Sequence, residues 1–208
     1  MTGRMALLSA LLVAIALSLV AGYARVRAPR VAEAGFWFEE ISYESRRLGR
    51  LSDADLHAIE TLARAELSAA FRGLRVHVSD RHEARYRLQV VQDAQDPRFK
   101  RPVGVAGQSR AIAGLGGSGV VSFLFLASAA EGYVPEGSDR DRVVEAIGRG
   151  IGRTAVHEFT HQLLPKVQIH ASRDDRSYEF ASAVRPAQFA GPMRWDLAWP
   201  LLRKELGE

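Results

Sequence analysis

The chain of 208 residues reads as an α+β domain behind a separate leader. Three observations predict this class. Two segments carry apolar residues at three- and four-residue spacing, each opened by a capping signature, as amphipathic helices do. Two short segments alternate apolar and polar residues, and a third is a nearly continuous apolar run, as strands do. In order they give helix, two strands, glycine-rich stretch, strand and long helix, with a smaller helical part at the C-terminus. The length suits one domain with its own core.

The leader comes first. Met5 to Gly22 is a run of apolar and small residues with two serines and no charge. Arg4 precedes it, and Arg25, Arg27 and Arg30 follow. Its 18 residues fall between a signal-peptide core and a minimal spanning helix. A cleavage position after Ala24 has acceptable residue sizes, while the arginines beyond it argue for the reverse orientation. Residues 1–30 are therefore read as an export signal or a single N-terminal membrane anchor, associating with the membrane through residues 5–22. Residues 31–208 follow as a single domain on the exported, periplasmic or extracellular, side.

The formal charge of +4 belongs to the leader: residues 1–30 hold four arginines and no acid, so the remainder balances. A neutral domain without a basic run offers no electrostatic case for nucleic acid as a partner. There is no cysteine. That excludes disulfides, thiolate ligands and a cysteine nucleophile, and leaves His, Asp and Glu to hold any metal.

Within the domain, a strand is expected around Phe36–Tyr43. Ser52 and Asp55 form a capping box. Leu56, Ile59, Ala63, Leu67 and Ala70 then mark a helix to about Phe71, with Glu60, Arg64 and Ser68 on its polar side. Leu74, Val76 and Val78 alternate with polar residues, as do Tyr86, Leu88 and Val90. Gly104 to Gly119 contains six glycines without the lysine of a phosphate loop, and is expected to be a mobile connection. Val120 to Leu126 reads as a strand buried on both faces. Ser138 and Asp141 form a second capping box. Val144, Ile147, Ile151 and Ala155 continue that helix until Pro165 ends it. Gly148, Gly150 and Gly152 each cost up to ~1 kcal/mol inside a helix, which predicts close approach of another backbone, expected to be a sheet.

The last turns of this helix carry His157-Glu158-Phe159-Thr160-His161, an H-E-x-x-H motif. Residues four apart share a helix face, so both imidazoles can grip one metal ion. Glu158 sits slightly round the helix, placed to act as general base on water.

With this motif and this element order the chain resembles a zincin metallopeptidase: a mixed sheet, a backing helix (here about 53–71) and an active-site helix ending in H-E-x-x-H. The resemblance is specific in the five motif residues and architectural over residues 50–164. It implies zinc (Zn2+), peptide or protein substrates, and hydrolysis in which Glu158 takes a proton from water and delivers it to the leaving amine. It also demands a third ligand. Metzincins place a third His six residues after the second, with a Gly between. Here those positions are Val167 and Leu164, and His170 lies nine residues on. Gluzincins place a Glu on the next helix, roughly eighteen to twenty residues on. Here Glu179 lies eighteen residues on, in what reads as the first turns of a helix after Asp174. Glu179 is preferred over His170, which then becomes an oxyanion donor.

Tyr178 is the other catalytic candidate, as a hydrogen-bond donor to a developing oxyanion. Asp174 or Asp175 is a candidate to orient a ligand imidazole. Met193, after Gly191 and Pro192, invites comparison with the methionine turn of metzincins. Trp195, Leu197, Trp199, Leu201 and Leu202 are expected to pack on the core. Two other readings compete: a catalytically inactive zinc-binding zincin-fold interaction module, and a membrane-tethered structural protein with a chance motif.

Overall fold

Alternation of small and large apolar residues builds the sheet. In the computed structural model, which describes residues 31–95, 104–113, 115–181 and 185–207, strand β1 spans Ala32–Phe38. Ala32, Ala34 and Phe36 point inward and are buried. The strand thus lies earlier than the Phe36–Tyr43 expected; its signal was hidden because alanine, not a branched residue, fills the inward positions. Glu44–Ser45 (β2) and Gly49–Arg50 (β3) form a small separate ribbon. Val76–Ser79 (β4), Tyr86–Val91 (β5), Gly107–Ile112 (β6) and Gly116–Ser122 (β7) complete the main sheet. Its order is β4-β1-β5-β7-β6, parallel throughout except for β6, which pairs antiparallel with β7. The fold is α+β with a mixed five-stranded sheet.

Two expectations change here. The glycine-rich stretch is not a loose connection but the β6–β7 hairpin. The run Val120 to Leu126 is not one strand. It leaves the sheet at Ser122, whose hydroxyl accepts from Phe125 N and caps helix α2, Phe123–Tyr133. Phe123, Leu126, Ala127 and Ala130 are all buried, which is helical spacing. A hydroxyl cap between two apolar runs ended the strand.

Helix α1, Asp53–Ala70, begins at the expected capping box: Ser52 accepts from Asp55 N, and Asp55 accepts from Ser52 N. Helix α3, Arg140–Leu163, is capped by Asp139, which accepts from Arg142 N at 2.9 Å, rather than by Ser138. It ends at Leu164 before Pro165, as predicted. Both helices lie on the sheet face that carries Phe36, Leu88 and Val121: Arg64 of α1 lies over the Phe36 ring, and Gln162 of α3 bonds the backbone of Arg87.

The glycines of α3 do mark close approach, but to a helix. A methyl group on Gly148 would stand 2.7 Å from Leu62 Cβ, and one on Gly152 would stand 2.6 Å from the Ala63 carbonyl, both on α1. One turn apart, the two glycines form a trough that seats α1. Arg153 locks the seam: it is 4 % exposed, pairs with Glu66 of α1 at 3.1 Å, and donates to the carbonyls of Ala187 and Gly191 at 2.7 Å. Helix α4 is short, Pro186–Phe189. Helix α5, Ala198–Leu206, buries Ala198, Leu202 and Leu206. Trp195 packs on Phe71 and donates to the Ala70 carbonyl at 2.9 Å, while Leu197 and Leu201 stay exposed. Among the described residues no helix is long and apolar enough to cross a membrane; residues 5–22 lie outside them.

Candidate metal centre

Helix periodicity sets the first two donors. His157 and His161 present their rings on one face of α3, with centroids 4.8 Å apart. Beyond Pro165 the chain doubles back through a short 3-10 helix, Ile169–Ala171, anchored by the buried Ile169. This return delivers His170. Its Nε2 lies 2.9 Å from His157 Nε2 and 3.0 Å from His161 Nε2, while the two helix histidines stand 3.2 Å apart at the same atoms. The three form the metal-ligand group found among the described residues.

Three ring nitrogens this close cannot be reconciled by protons alone. His157 Nδ1 donates to the Tyr178 carbonyl at 2.7 Å, so His157 Nε2 carries a lone pair. His161 and His170 can each aim a proton at it, but their own nitrogens then oppose each other at 3.0 Å. A cation between the three resolves every contact. Tetrahedral Zn²⁺ with nitrogen ligands at 2.0–2.1 Å separates them by about 3.3 Å, close to what is seen. The two helix histidines are also held in the neutral state. Burial pushes His157 down to about 3, against the opposing pull of the Tyr178 carbonyl. Burial and the neighbouring His170 bring His161 to about 4. Neutral imidazole is the form that ligates.

Glu158 follows His157 and is 6 % exposed. Its Oε2 accepts from the Ser109 hydroxyl on β6 at 2.7 Å. Burial raises its pKa to about 7, with Ser109 pulling the other way. The edge strand reaches this side chain because residue 107 has none: a Cβ on Gly107 would sit 3.0 Å from Glu158 Cγ. Nothing in the sequence singled out Ser109. Its only mark is parity with Gly107 on a strand that was not predicted. A cleft of about 910 Å³ opens in front of these groups, walled by β6 on one side and by His170, Phe180 and Arg185 on the other.

Glu179, the preferred third ligand, is not brought to the cluster. Residues 174–181 form turns rather than the predicted helix, and Glu179 is fully buried. Its Oε1 accepts from the backbone N–H of Asp196, Leu197 and Ala198, each at 2.9 Å, and Oε2 accepts from Leu197 N at 2.7 Å. The carboxylate is thus engaged by three backbone N–H groups at the start of α5 and is not part of the metal-ligand group. The Tyr178 ring packs on Trp195, 4.9 Å between centroids, and burial pushes its hydroxyl up to about 12. What Tyr178 gives the cluster is its carbonyl, which takes the orienting role foreseen for Asp174 or Asp175. Asp174 instead pairs with Arg194 and accepts from Arg176 N. Met193 packs on the core and does not line the cleft. No family model, curated protein or solved structure matches this chain.

Proposed function

We propose that this chain is a zinc-dependent peptidase of the zincin type, with His157, His161 and His170 as metal ligands and Glu158 as general base. The observation that carries the reading is the convergence of three imidazole nitrogens beside a buried carboxylate, in a cleft open to substrate. Zinc held by these three imidazoles would supply Lewis acidity, acidifying water and polarising a substrate carbonyl. Glu158 accepts the proton of the attacking water and hands it to the leaving amine, with Ser109 fixing the carboxylate rotamer. β6 ends the sheet, and residues 105–111 line the cleft, so an extended peptide can add to this edge as a further strand. The His-His-His set is metzincin-like, with a nine-residue spacing in place of six. Residues 5–22, as export signal or anchor, would place the activity outside the cytoplasm.

Metal analysis of the dialysed full chain tests this first. Near-equimolar zinc is expected, and it should be lost in His157→Ala and in His170→Ala. Full zinc in His170→Ala would sink the ligand set. Zinc binding by a wild type that cleaves nothing in a peptide library would leave the non-catalytic zinc module as the better reading.

A further inference from the structure

We propose that the tip of the β6–β7 hairpin, with the arginines beside it, is a docking surface for an anionic lipid bilayer. The two most exposed large apolar side chains among the described residues are Leu115 at 74 % and Ile112 at 66 %. They stand together at the turn, since Ile112 pairs with Gly116. The turn itself does not need them: Gly116, at φ +114°, provides its unusual backbone. Neither side chain belongs to the buried core, and side by side they form a small apolar point on the surface.

The register says what lies near this tip. β1, β5 and β7 run parallel, with Ala34 opposite Tyr86 and Tyr86 opposite Gly117. The start of β7 and the start of β1 therefore share one end of the sheet. Val31, 63 % exposed, precedes β1 at that end, and in sequence it follows the apolar run of residues 5–22 and Arg25, Arg27 and Arg30. Cations flank the tip. Ser118 pairs with Arg87 on one side and Arg110 on the other, so two exposed arginines stand in one row across three strands. Ile112 is two residues beyond Arg110, on the same strand face. Glu33, the acid of β1 on this face, is held by Arg81 at 2.8 Å.

Insertable apolar residues flanked by arginines match the boundary between acyl chains and anionic headgroups. Two side chains and two charges bind weakly alone, and this inference rests on the anchor reading of the leader, which would hold the chain at the membrane and raise their effective concentration. The inference does not rest on the zinc reading. It does bear on it: Ser109 lies three residues from Ile112, about 10 Å along the strand, so a seated hairpin holds the cleft close to the lipid and favours membrane-proximal substrates.

The absence of cysteine makes the test clean. Full-length Leu115→Cys and, as a distant control, Glu136→Cys carry an environment-sensitive fluorophore. Each is reconstituted into vesicles of phosphatidylglycerol and phosphatidylcholine containing lipid-borne quenchers. The probe at 115 should shift to the blue and be quenched several-fold more than the probe at 136. That quenching should fall in high salt, in pure phosphatidylcholine and in an Arg87→Glu/Arg110→Glu background, while the chain stays on the vesicles. A 115 probe as wet as the 136 probe overturns the proposal. So does protection at 115 that lipid-borne quenchers do not reach, which would mark a protein contact instead.

Discussion

Glu158 and Glu179 flank the histidine cluster, and both are shut off from solvent, yet their carboxylates meet different company. Glu179 receives four N–H contacts from the first residues of the α5 segment. Those amides have no partner within their own helix, and the positive end of its dipole favours the carboxylate charge. Glu158 receives one hydroxyl and otherwise faces the cleft. What differs is how many donors meet the carboxylate. A carboxylate with a full set of donors is a staple that holds two segments together. One with a single donor is left with a raised pKa and room to exchange a proton, which is what a general base requires.

The largest effect expected from this contrast is structural. Glu179→Ala removes the shared acceptor of three backbone amides, that of Ala198 buried, and should cost about 3–5 kcal/mol of unfolding free energy, read from urea denaturation. Glu179→Gln should recover part of that. Protein of either variant that remains folded should still hold zinc. Zinc loss at native stability would break the comparison and restore Glu179 as a ligand. Glu158→Gln should do the reverse. Denaturation and zinc content should be unchanged, while turnover on a cleavable peptide falls by at least ~10²-fold. An unaltered rate would remove Glu158 from the chemistry.

The same pair shows what could be read ahead of the structure. The two histidines and Glu158 were legible because a helix fixes them by local spacing alone, and Pro165 fixed where that helix stops. That His170 joins them was not, because it depends on a turn between Pro165 and Ile169 that no periodicity encodes. His170 and Glu179 were both in view, and the choice hung on whether residues 174–181 were helical. Ser177-Tyr178-Glu179 has helix-start composition, but the backbone amides of 196–198 claimed the carboxylate. The sheet was half legible for a similar reason. Val and Leu alternation revealed β4 and β5. The alanines of β1 and the glycines of β6 and β7 concealed strands whose small residues exist to let helices approach.

That approach supplies the next prediction, since it sets where the end of α3 lies. An Ala side chain at 152 would meet the Ala63 carbonyl and Glu66 Cβ at 2.6 and 2.8 Å. Helix propensity favours Gly→Ala by up to ~1 kcal/mol, but forcing two backbones apart costs more. Gly152→Ala should therefore lose about 1–3 kcal/mol and reduce turnover by moving His157 against His170. Gly132 in α2 has nothing within 4 Å of a new methyl group. Its Ala variant should gain about 0.5–1 kcal/mol. Equal responses at the two sites would mean that the α1–α3 seam is not tightly packed.

Asp55 extends the comparison to a third carboxylate, this one near the surface with a cation as its main partner. Its Oδ2 accepts from Ser52 N and from Arg140 Nη2, each at 2.6 Å, and Oδ1 accepts from Arg140 Nε at 2.9 Å. Arg140 also donates to the carbonyls of Leu48 and Arg50, so one ion pair ties the start of α3 to the start of α1. The Arg140 guanidinium, aided by Ser52, holds the Asp55 carboxyl well below the usual carboxylate range. A folded-state pKa lower than the unfolded value, about 3.9, contributes stability that is complete above that value. It is lost as pH falls through it toward the depressed one. Asp55→Asn keeps the shape and capping ability but not the charge. The wild type should exceed it by about 1 kcal/mol at pH 7, and the gap should shrink steadily between about pH 5 and 3. Denaturation midpoints of both proteins across that range measure it. A gap independent of pH would show that Asp55 acts by shape alone, leaving Glu179 as the carboxylate whose charge the fold depends on.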